Sequence, residues 1–305
     1  MQNVWELQQK ILNLKSEKDI AILAHSYQAE EIQEIADVVG DSFKLSQEAA
    51  KLPQKTVIMA GVKFMAETCK ILSPEKTVIL AHPQAGCPMA EQFEADEIEY
   101  LKSQHPNAVT VCYINTTIEI KAVCDVCVTS SSAVSVCKKL PEKEIIFIPD
   151  CNLGAFVAKS LPEKHLIMLQ GGCPIHACVS VQDTLTSKEM FPGAKLAVHP
   201  ECQPEICDLA DYVGSTSGII NYCKASNDKE FIIGTEISIA EHLQYACPDK
   251  KFHILSKKLI CPNMKITTLP DIYNALTGAG GLTLETPPEL LSKAYKCIDK
   301  MLKLG

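Results

Sequence analysis

The chain has 305 residues, a formal net charge of −8 and 47% hydrophobic residues, which is ordinary for a globular protein large enough for several domains. The negative charge argues against nonspecific nucleic-acid binding, and no apolar run is long enough to span a membrane. The first residues lack the pattern of a signal peptide, so we expect a cytoplasmic protein. Every basic residue is a lysine, so arginine cannot provide the usual two-pronged recognition of phosphate or carboxylate.

Cysteine is unusually frequent, with 15 residues in the chain. An odd number of cysteines in a protein expected in the cytoplasm argues against a disulfide framework. Metal or iron–sulfur ligation, combined with buried thiols that act as small apolar side chains, explains the composition better.

The predicted elements start with an amphipathic helix near the N-terminus, followed by short apolar strands that alternate with helices. This alternation favours parallel sheets with helices on both faces. Asp41 or Ser42 is expected to cap the second helix of the series. The first series is predicted as strand Ile20–Ala24, helix Glu30–Asp37, strand Val38–Val39, helix Ser42–Lys51, strand Thr56–Ala60, helix Lys63–Leu72 and strand Thr77–Leu80.

The chain contains an internal repeat. His25, Tyr113 and His199 end or follow matching apolar strands and lie 88 and then 86 residues apart, and three further sets of landmarks keep nearly the same offsets. Such a period indicates three copies of one supersecondary unit, so we predict three homologous α/β/α sandwich domains with parallel sheets. The predicted limits are an N-terminal helix at 1–19, α/β units at 20–105, 106–192 and 193–277, and a C-terminal tail helix at 278–305.

Polar residues concentrate where the predicted strands end, which is where ligands bind in open parallel sheets. His25, Tyr113 and His199 mark the first strand of each repeat, and hydroxyl residues open the helices after the second strands. Helix N-termini with hydroxyls suit a small polyanion. Core histidines and simple helix caps are the alternative interpretations, and Asp150 and Glu236 after the third strands stay open. The hydroxyl residues are Ser42, Ser130, Ser215 and Thr216.

Three cysteines, Cys87, Cys173 and Cys261, each precede a proline and close a repeat, and they lie 86 and then 88 residues apart. Proline disfavours a helical conformation at the residue before it, so each cysteine is expected in a loop. Three thiolates suit a [4Fe-4S] cluster with one open iron that acts as a Lewis acid, whereas structural zinc usually takes four ligands in close pairs. Cys247-Pro248 breaks the period, so a Cys-Pro pair alone is a weak signal.

Seven short motifs follow one another along the chain: Ala24-His25-Ser26-Tyr27-Gln28, Gly40-Asp41-Ser42, Tyr113-Ile114-Asn115, Thr129-Ser130-Ser131, His199-Pro200-Glu201-Cys202, Gly234-Thr235-Glu236 and Cys261-Pro262-Asn263-Met264-Lys265. Together they resemble the type A quinolinate synthases, from about residue 20 to about residue 280. The resemblance implies three similar α/β/α domains in a pseudo-threefold arrangement around a central iron–sulfur site. It also implies that Cys87, Cys173 and Cys261 hold a [4Fe-4S] cluster.

The resemblance implies an activity as well: condensation of iminoaspartate with dihydroxyacetone phosphate to quinolinate, phosphate and two waters, a step of NAD biosynthesis. Tyr27 matches a mobile catalytic tyrosine, and Glu201, His25 and His199 are candidates for proton transfer or for receiving the charge of the phosphate. A transient contact with the enzyme that produces iminoaspartate is a further expectation. The implied substrate-binding residues are His25, Ser42, Tyr113, Asn115, Ser130, His199, Glu201 and Thr216, with Ile114, Pro200 and Ser215 beside them.

Two alternatives stay open at this point. An iron–sulfur hydro-lyase that acts on another small hydroxy acid would use the same open iron, and an assay for quinolinate separates the two enzymes. A non-catalytic iron–sulfur sensor would need an output surface, such as a basic helix that reads DNA. A chain with a net charge of −8 and no arginine offers no such helix.

Overall fold

The structure is a computed structural model that describes residues 3–305, and the chain forms two compact units. Unit 1 contains the residues up to Glu91 together with Ile114–Val123 and Pro262–Cys297. Unit 2 contains Gln92–Tyr113, Cys124–Cys261 and the residues from Ile298 onward. The predicted division into three domains stays a prediction, and its first two residues lie outside the described range.

The described residues form short strands separated by helices, which confirms the predicted α/β class. The strands are β1 (Ile20–His25), β2 (Val38–Gly40), β3 (Thr56–Ala60), β4 (Thr77–Leu80), β5 (Val109–Tyr113), β6 (Val126–Val128), β7 (Glu144–Ile148), β8 (His165–Met168), β9 (Lys195–Val198), β10 (Tyr212–Val213), β11 (Glu230–Gly234), β12 (Lys251–Ile254) and β13 (Leu282–Thr283).

The helices alternate with these strands, and in the described part of the chain none is both long and apolar enough to cross a membrane. They are α1 (Val4–Glu17), α2 (Glu30–Gln33), α3 (Ser42–Lys51), α4 (Lys63–Leu72), α5 (Ala95–Gln104), α6 (Ile118–Val123), α7 (Ala133–Lys139), α8 (Cys151–Ser160), α9 (Pro174–Ala177), α10 (Val181–Met190), α11 (Pro204–Cys207), α12 (Thr216–Ala225), α13 (Ser238–Ala246), α14 (Pro262–Lys265), α15 (Leu269–Thr277) and α16 (Pro288–Leu304).

The strands form three sheets with one strand order. The first sheet, in unit 1, has the order β13-β4-β3-β1-β2, and unit 2 contains the sheets β6-β5-β7-β8 and β10-β9-β11-β12. In each sheet the first strand of the repeat lies between the second and the third. All pairings are parallel except β13 on β4. Three sheets with the same order agree with the repeat seen in the sequence.

Asp37, Asp125 and Asp211 give the repeat a physical basis. Each precedes the second strand of its sheet, and its carboxylate accepts a hydrogen bond from a backbone N–H in the first strand, at 2.7, 2.8 and 2.9 Å. The backbone N–H of each aspartate also donates to a carbonyl of that strand. These hydrogen bonds to β1 hold Asp37 outside the helix, so α2 ends at Gln33 and not at Asp37 as predicted.

Three lysines, Lys76, Lys164 and Lys250, form a second repeated feature that the sequence analysis missed. Each ε-ammonium group donates to backbone carbonyls in the last turn of, or just after, the helix that joins the second and third strands. Carbonyls at a helix C-terminus have no partner within the helix, and a cation there is favourable. The lysines therefore close corresponding turns in all three repeats.

Each unit has its own hydrophobic core. In unit 1, α1 packs on β1 and α15, and its Ile11 is fully buried. Truncation of such a residue to alanine typically costs about 2–5 kcal/mol. In unit 2, the third sheet packs its apolar side chains around Leu196, Val198 and Ile232. These cores fix the strand ends, and the polar residues predicted from the sequence lie at those ends.

Candidate active site

A buried polar cluster lies at the carboxyl ends of strands in unit 2, and Glu201 is its centre. The Glu201 side chain follows β9 and is only 4% exposed. Its Oε1 atom accepts a hydrogen bond from the Tyr113 hydroxyl at 2.9 Å, and its Oε2 atom lies 2.8 Å from His176 Nδ1. The Asn152 amide donates to the backbone carbonyl of Glu201 at 3.0 Å. Both the side chain and the backbone of Glu201 are thus held by residues distant in sequence.

The electrostatic environment keeps Glu201 ionised. Burial would raise the pKa of this carboxyl, but the neighbouring His199 and His176 rings and the hydrogen bonds from His176 and Tyr113 outweigh it, so the pKa lies below its usual range. Glu201 is therefore a carboxylate at neutral pH. A second negative charge that entered the cluster would raise the Glu201 pKa and make it a stronger base.

The histidines at the ends of β1 and β9 have the same local geometry. The Glu201 backbone N–H donates to His199 Nδ1 at 3.3 Å, and the Tyr27 backbone N–H donates to His25 Nδ1 at 3.1 Å. Because Nδ1 accepts in both cases, the ring proton of each imidazole in its neutral form is assigned to Nε2. Each ring can then donate a hydrogen bond from Nε2 to an anionic group.

His176 belongs to the cluster, although the sequence analysis did not select it. It lies in α9, is 3% exposed, and places Nδ1 3.2 Å from Cys173 Sγ. Its Nε2 atom lies 3.0 Å from Thr235 Oγ1, and its ring centroid lies 5.1 Å from that of His199. The Cys-x-x-His spacing from Cys173 to His176 was the available signal, but the contact with Glu201 depends on long-range packing.

Asp150, which the sequence left open, positions the loop that contains Cys173. Its side chain is fully buried, and its two oxygens accept the backbone N–H groups of Leu153 at 2.8 Å and Cys173 at 3.0 Å. Burial, followed by the nearby charge of Glu201, raises the pKa of Asp150 to about 7. Asp150 thus caps α8 and holds the backbone of Cys173.

Hydroxyl residues open two of the helices as predicted, but a third helix begins later. Ser215 caps α12 by accepting the Gly218 N–H at 3.1 Å, and Thr216 is the first helical residue. In the second sheet, α7 begins only at Ala133 with Ser132 at the N-cap, so Ser130 lies two residues before the cap. The Thr129 hydroxyl bonds to the hydroxyls of Ser131 and Ser132, and these bonds hold the turn before the helix.

His25, Tyr27 and Ser42 of unit 1 lie at the carboxyl ends of strands of the first sheet. Asp41, and not Ser42, caps α3 by accepting the Lys44 N–H at 2.9 Å, and Ser42 is the buried first residue. The half-buried Tyr27 packs edge-on against the His25 ring at 4.5 Å. Lys265 donates to the Tyr27 carbonyl at 2.7 Å. Ile114 and Asn115 belong to the short segment that includes α6.

The structure therefore brings some of the predicted site residues into direct contact. Tyr113, His199 and Glu201 are in contact, and Cys173 reaches them through His176. Pro200 is the buried residue between His199 and Glu201. Ser130, Ser215, Thr216 and Cys261 also belong to unit 2, whereas the unit 1 set consists of His25, Tyr27, Ser42, Cys87, Ile114 and Asn115.

The three cysteines singled out by the repeat are suited to a metal or iron–sulfur group. Cys87, Cys173 and Cys261 are half-buried thiols, and each follows the fourth strand of its sheet. The backbone N–H groups of Cys87 and Cys173 are held by carboxylates, through Glu91 at 3.1 Å and Asp150 at 3.0 Å. Thiols at matched loop positions are the donors that such groups require.

Comparisons with known proteins identify relatives over nearly the whole chain. Residues 9–303 match the family described as "Quinolinate synthetase A protein". The chain is 46% identical over 303 residues to a quinolinate synthase of Caldicellulosiruptor bescii, covering 99% of this chain and 100% of that protein. It is 47% identical over 299 residues to one of Methanoregula boonei, covering 98% of each.

Among solved structures, a similar chain is the E-1-hydroxy-2-methyl-but-2-enyl-4-diphosphate reductase of Plasmodium falciparum. It is 12% identical, with 94% of this chain and 84% of that chain covered. The TM-score of 0.29 is too low for the likeness to bear on the fold.

Proposed function

The chain belongs to the quinolinate synthase family, and on that premise we propose that it condenses iminoaspartate with dihydroxyacetone phosphate. The products are quinolinate, phosphate and two waters, which balance the atoms of the two substrates. The reaction supplies the pyridine ring for NAD biosynthesis. The observation that carries the proposal is the family match over residues 9–303, which includes every residue of the buried Glu201 cluster.

We assign the cofactor as a [4Fe-4S] cluster held by Cys87, Cys173 and Cys261. The support is the sequence: one cysteine per repeat, each before a proline, and each matching the ligand pattern that the resemblance implies. Three thiolates leave one iron open, so the bound cluster supplies a Lewis acid for substrate oxygen atoms. The remaining chemistry falls to side chains of the chain itself.

Glu201 and His199 are the proposed groups for proton transfer at the carbon of iminoaspartate that forms the new bond. The buried Glu201 carboxylate is ionised, which is the state that accepts a proton. Entry of a dicarboxylate substrate raises the Glu201 pKa through like-charge repulsion, so Glu201 becomes more basic when the substrate is bound. Tyr113 and His176 keep the carboxylate in one orientation during this step.

His25, Ser42 and the N-terminus of α3 are the proposed site for the phosphate that leaves. Ser42 is the first residue of α3, where the helix dipole favours an anion. His25 donates from Nε2, since its Nδ1 already accepts the Tyr27 N–H. Without arginine in the chain, hydroxyls, histidines and helix termini must provide this recognition.

Tyr113 and Asn115 are proposed to orient the two carboxylates of the substrate, together with Ser130, Thr216 and their neighbours Ile114, Pro200 and Ser215. Tyr27 and Glu201 are proposed as candidates for the acid and the base of the shift from ketose to aldose. The half-buried position of Tyr27 leaves its ring accessible, unlike the buried Tyr113. The cytoplasmic location and a transient contact with the enzyme that produces iminoaspartate stay predictions.

The test is product formation by the full chain, reconstituted anaerobically with iron and sulfide. Freshly generated iminoaspartate and dihydroxyacetone phosphate should give quinolinate and phosphate in equal amounts, and omission of either substrate should stop quinolinate formation. A chain that contains iron but releases no quinolinate would contradict the proposed reaction.

A further inference from the structure

Cys173, His176 and Glu201 form a compact set of potential metal ligands within unit 2. Their sulfur, nitrogen and oxygen atoms all lie within 4.8 Å of one another. The His176 Nδ1 atom is shared, at 3.2 Å from Cys173 Sγ and 2.8 Å from Glu201 Oε2. Thiolate, imidazole and carboxylate are the three ligand types that zinc takes in proteins, and three protein ligands leave a fourth position for water.

Two of the three side chains, those of His176 and Glu201, already have a partner that would orient them towards an ion. A metal would displace the Nδ1 proton that His176 shares with Glu201, and the buried Thr235 hydroxyl, 3.0 Å from His176 Nε2, can accept the proton that stays on Nε2. Tyr113 donates to Glu201 at 2.9 Å, on the oxygen not facing His176. Such outer hydrogen bonds accompany nearly all metal-binding histidines and fix their tautomer.

The spacing also suits a small ion. Around tetrahedral zinc, a nitrogen ligand lies about 3.4–3.6 Å from oxygen and sulfur ligands. The separations of 2.8 and 3.2 Å are shorter than this, so the side chains need to open by roughly half an ångström. Side-chain rotation can supply a movement of this size without a change in the strands.

We propose that the chain without its cluster binds one zinc-like divalent ion through Cys173, His176 and Glu201, and that this ion competes with cluster assembly. Cys173 belongs to both ligand sets, so the two forms exclude each other. Of the two ligand sets, His176 and Glu201 belong only to that of the ion, and Cys87 and Cys261 belong only to that of the cluster. The ion site stands on its own geometry, whereas the competition rests on the proposed function of Cys173 as a cluster ligand.

The test uses Co²⁺ as the probe, titrated anaerobically into the full chain before iron is added. Binding of one Co²⁺ per chain should produce a thiolate-to-cobalt charge-transfer band and the visible bands of tetrahedral cobalt. Cys173→Ser should remove the charge-transfer band. Thr235→Val removes the outer partner of His176, leaves the three ligands in place, and should weaken Co²⁺ binding by about 10- to 100-fold. His176→Ala and Glu201→Gln, which each remove a ligand, should weaken it more.

The matched controls are Cys87→Ser and Cys261→Ser, which remove cysteines of the proposed cluster set but not of the ion site. Both should bind Co²⁺ like the wild-type chain. Loss of the charge-transfer band in either control would show that the ion takes the cluster cysteines, and it would overturn the proposal. Wild-type affinity in both His176→Ala and Thr235→Val would also overturn it. Circular dichroism checks that each variant is folded, and the near-isosteric Thr235→Val keeps the test valid if His176→Ala unfolds.

The competition between the ion and cluster assembly is tested by a separate measurement of iron and sulfide uptake. The wild-type chain preloaded with Zn²⁺ should take up less iron and sulfide on reconstitution than the untreated chain, and Zn²⁺ should have little effect on uptake by His176→Ala. Equal iron uptake with and without Zn²⁺ would overturn the competition but not the ion site. These measurements do not depend on quinolinate formation, so they separate this proposal from the proposed activity.

Discussion

Tyr27 and Tyr113 follow or end the first strands of two repeats, yet they are held in different ways. Tyr113, in unit 2, is 4% exposed, and its hydroxyl donates to a buried carboxylate at 2.9 Å. Tyr27, in unit 1, is half-buried and is anchored through its backbone, by its N–H to His25 and by its carbonyl to Lys265. Tyr113 is thus held by a buried hydroxyl bond, whereas Tyr27 has two backbone hydrogen bonds and a ring contact with His25.

This contrast indicates that the two strand ends have different functions in binding and proton transfer. A hydrogen-bonded, buried network such as that around Glu201 is rigid and preorganised for binding and charge stabilisation. The Tyr27 ring packs edge-on against His25 and is only half-buried, so it is less enclosed than the Tyr113 ring. We therefore expect the Glu201 region to set orientation and basicity, and Tyr27 to act as the proton carrier that the family resemblance implies. Four substitutions test this contrast.

The largest effect should come from Glu201→Gln. The neutral amide cannot take a proton, so we expect the turnover number for quinolinate to fall by about 10²- to 10⁴-fold. The matched control is Glu230→Gln, which alters another carboxylate–histidine pair, at 2.8 Å from His253 on the same sheet. Wild-type turnover by Glu201→Gln in a quinolinate assay would remove Glu201 from proton transfer.

Tyr27→Phe should come next, with turnover reduced by about 100-fold, because it removes one proton carrier but leaves the charged network intact. The iron content should be unchanged, since Tyr27 is not a proposed ligand. Tyr245→Phe, at a position with 82% exposure, serves as the control. Retained quinolinate production by Tyr27→Phe, measured at saturating substrates, would contradict a catalytic role for this tyrosine.

Tyr113→Phe should affect stability more than Tyr27→Phe does. It removes a hydrogen bond to a buried charged group, which is worth about 1.5–3 kcal/mol in the free energy of unfolding. We also expect a raised KM, because Tyr113 is proposed to orient the substrate. Thermal unfolding measures the loss of Tm in both variants. A larger loss in Tyr27→Phe than in Tyr113→Phe would contradict the greater contribution of the Tyr113 hydroxyl bond to stability.

The smallest effect should come from Lys265→Met, which removes the donor to the Tyr27 carbonyl. One hydrogen bond of this kind contributes about 0.5–1.5 kcal/mol, so turnover should fall only a few-fold while KM stays near the wild-type value. Lys293→Met, which changes an exposed lysine paired with Glu289 on α16, is the control. If both variants match the wild type in turnover, the hydrogen bond from Lys265 does not position Tyr27.

Local signals in the sequence were enough for much of the fold. The limits of α3, α4, β3 and β4 match their predictions, because apolar spacing and the Asp41 cap act over a few residues. The end of α2 was predicted wrongly because Asp37 bonds back to β1, a contact that no local window contains. Parallel sheets depend on such distant pairings, so their connecting helices are harder to delimit.

The candidate site was predictable to the extent that it repeats. His25, Tyr113 and His199 were found because they recur at matched strand ends, and the cysteines because they share a period and a following proline. His176 has no counterpart in the other repeats at the same loop position, and its role depends on Glu201, 25 residues later in the sequence. A residue that occurs in one repeat alone, and that acts through a tertiary contact, produces no periodic signal in the sequence.

The most direct test of the central claim is to measure iron, acid-labile sulfide and quinolinate formation together in a series of cysteine variants. The wild-type chain should hold about four irons and make quinolinate, whereas Cys87→Ala, Cys173→Ala and Cys261→Ala should each lose both properties. Cys247→Ala, which alters a Cys-Pro pair outside the period, should retain both. A normal cluster with full activity in any of the first three variants, or its loss in Cys247→Ala, would contradict the account.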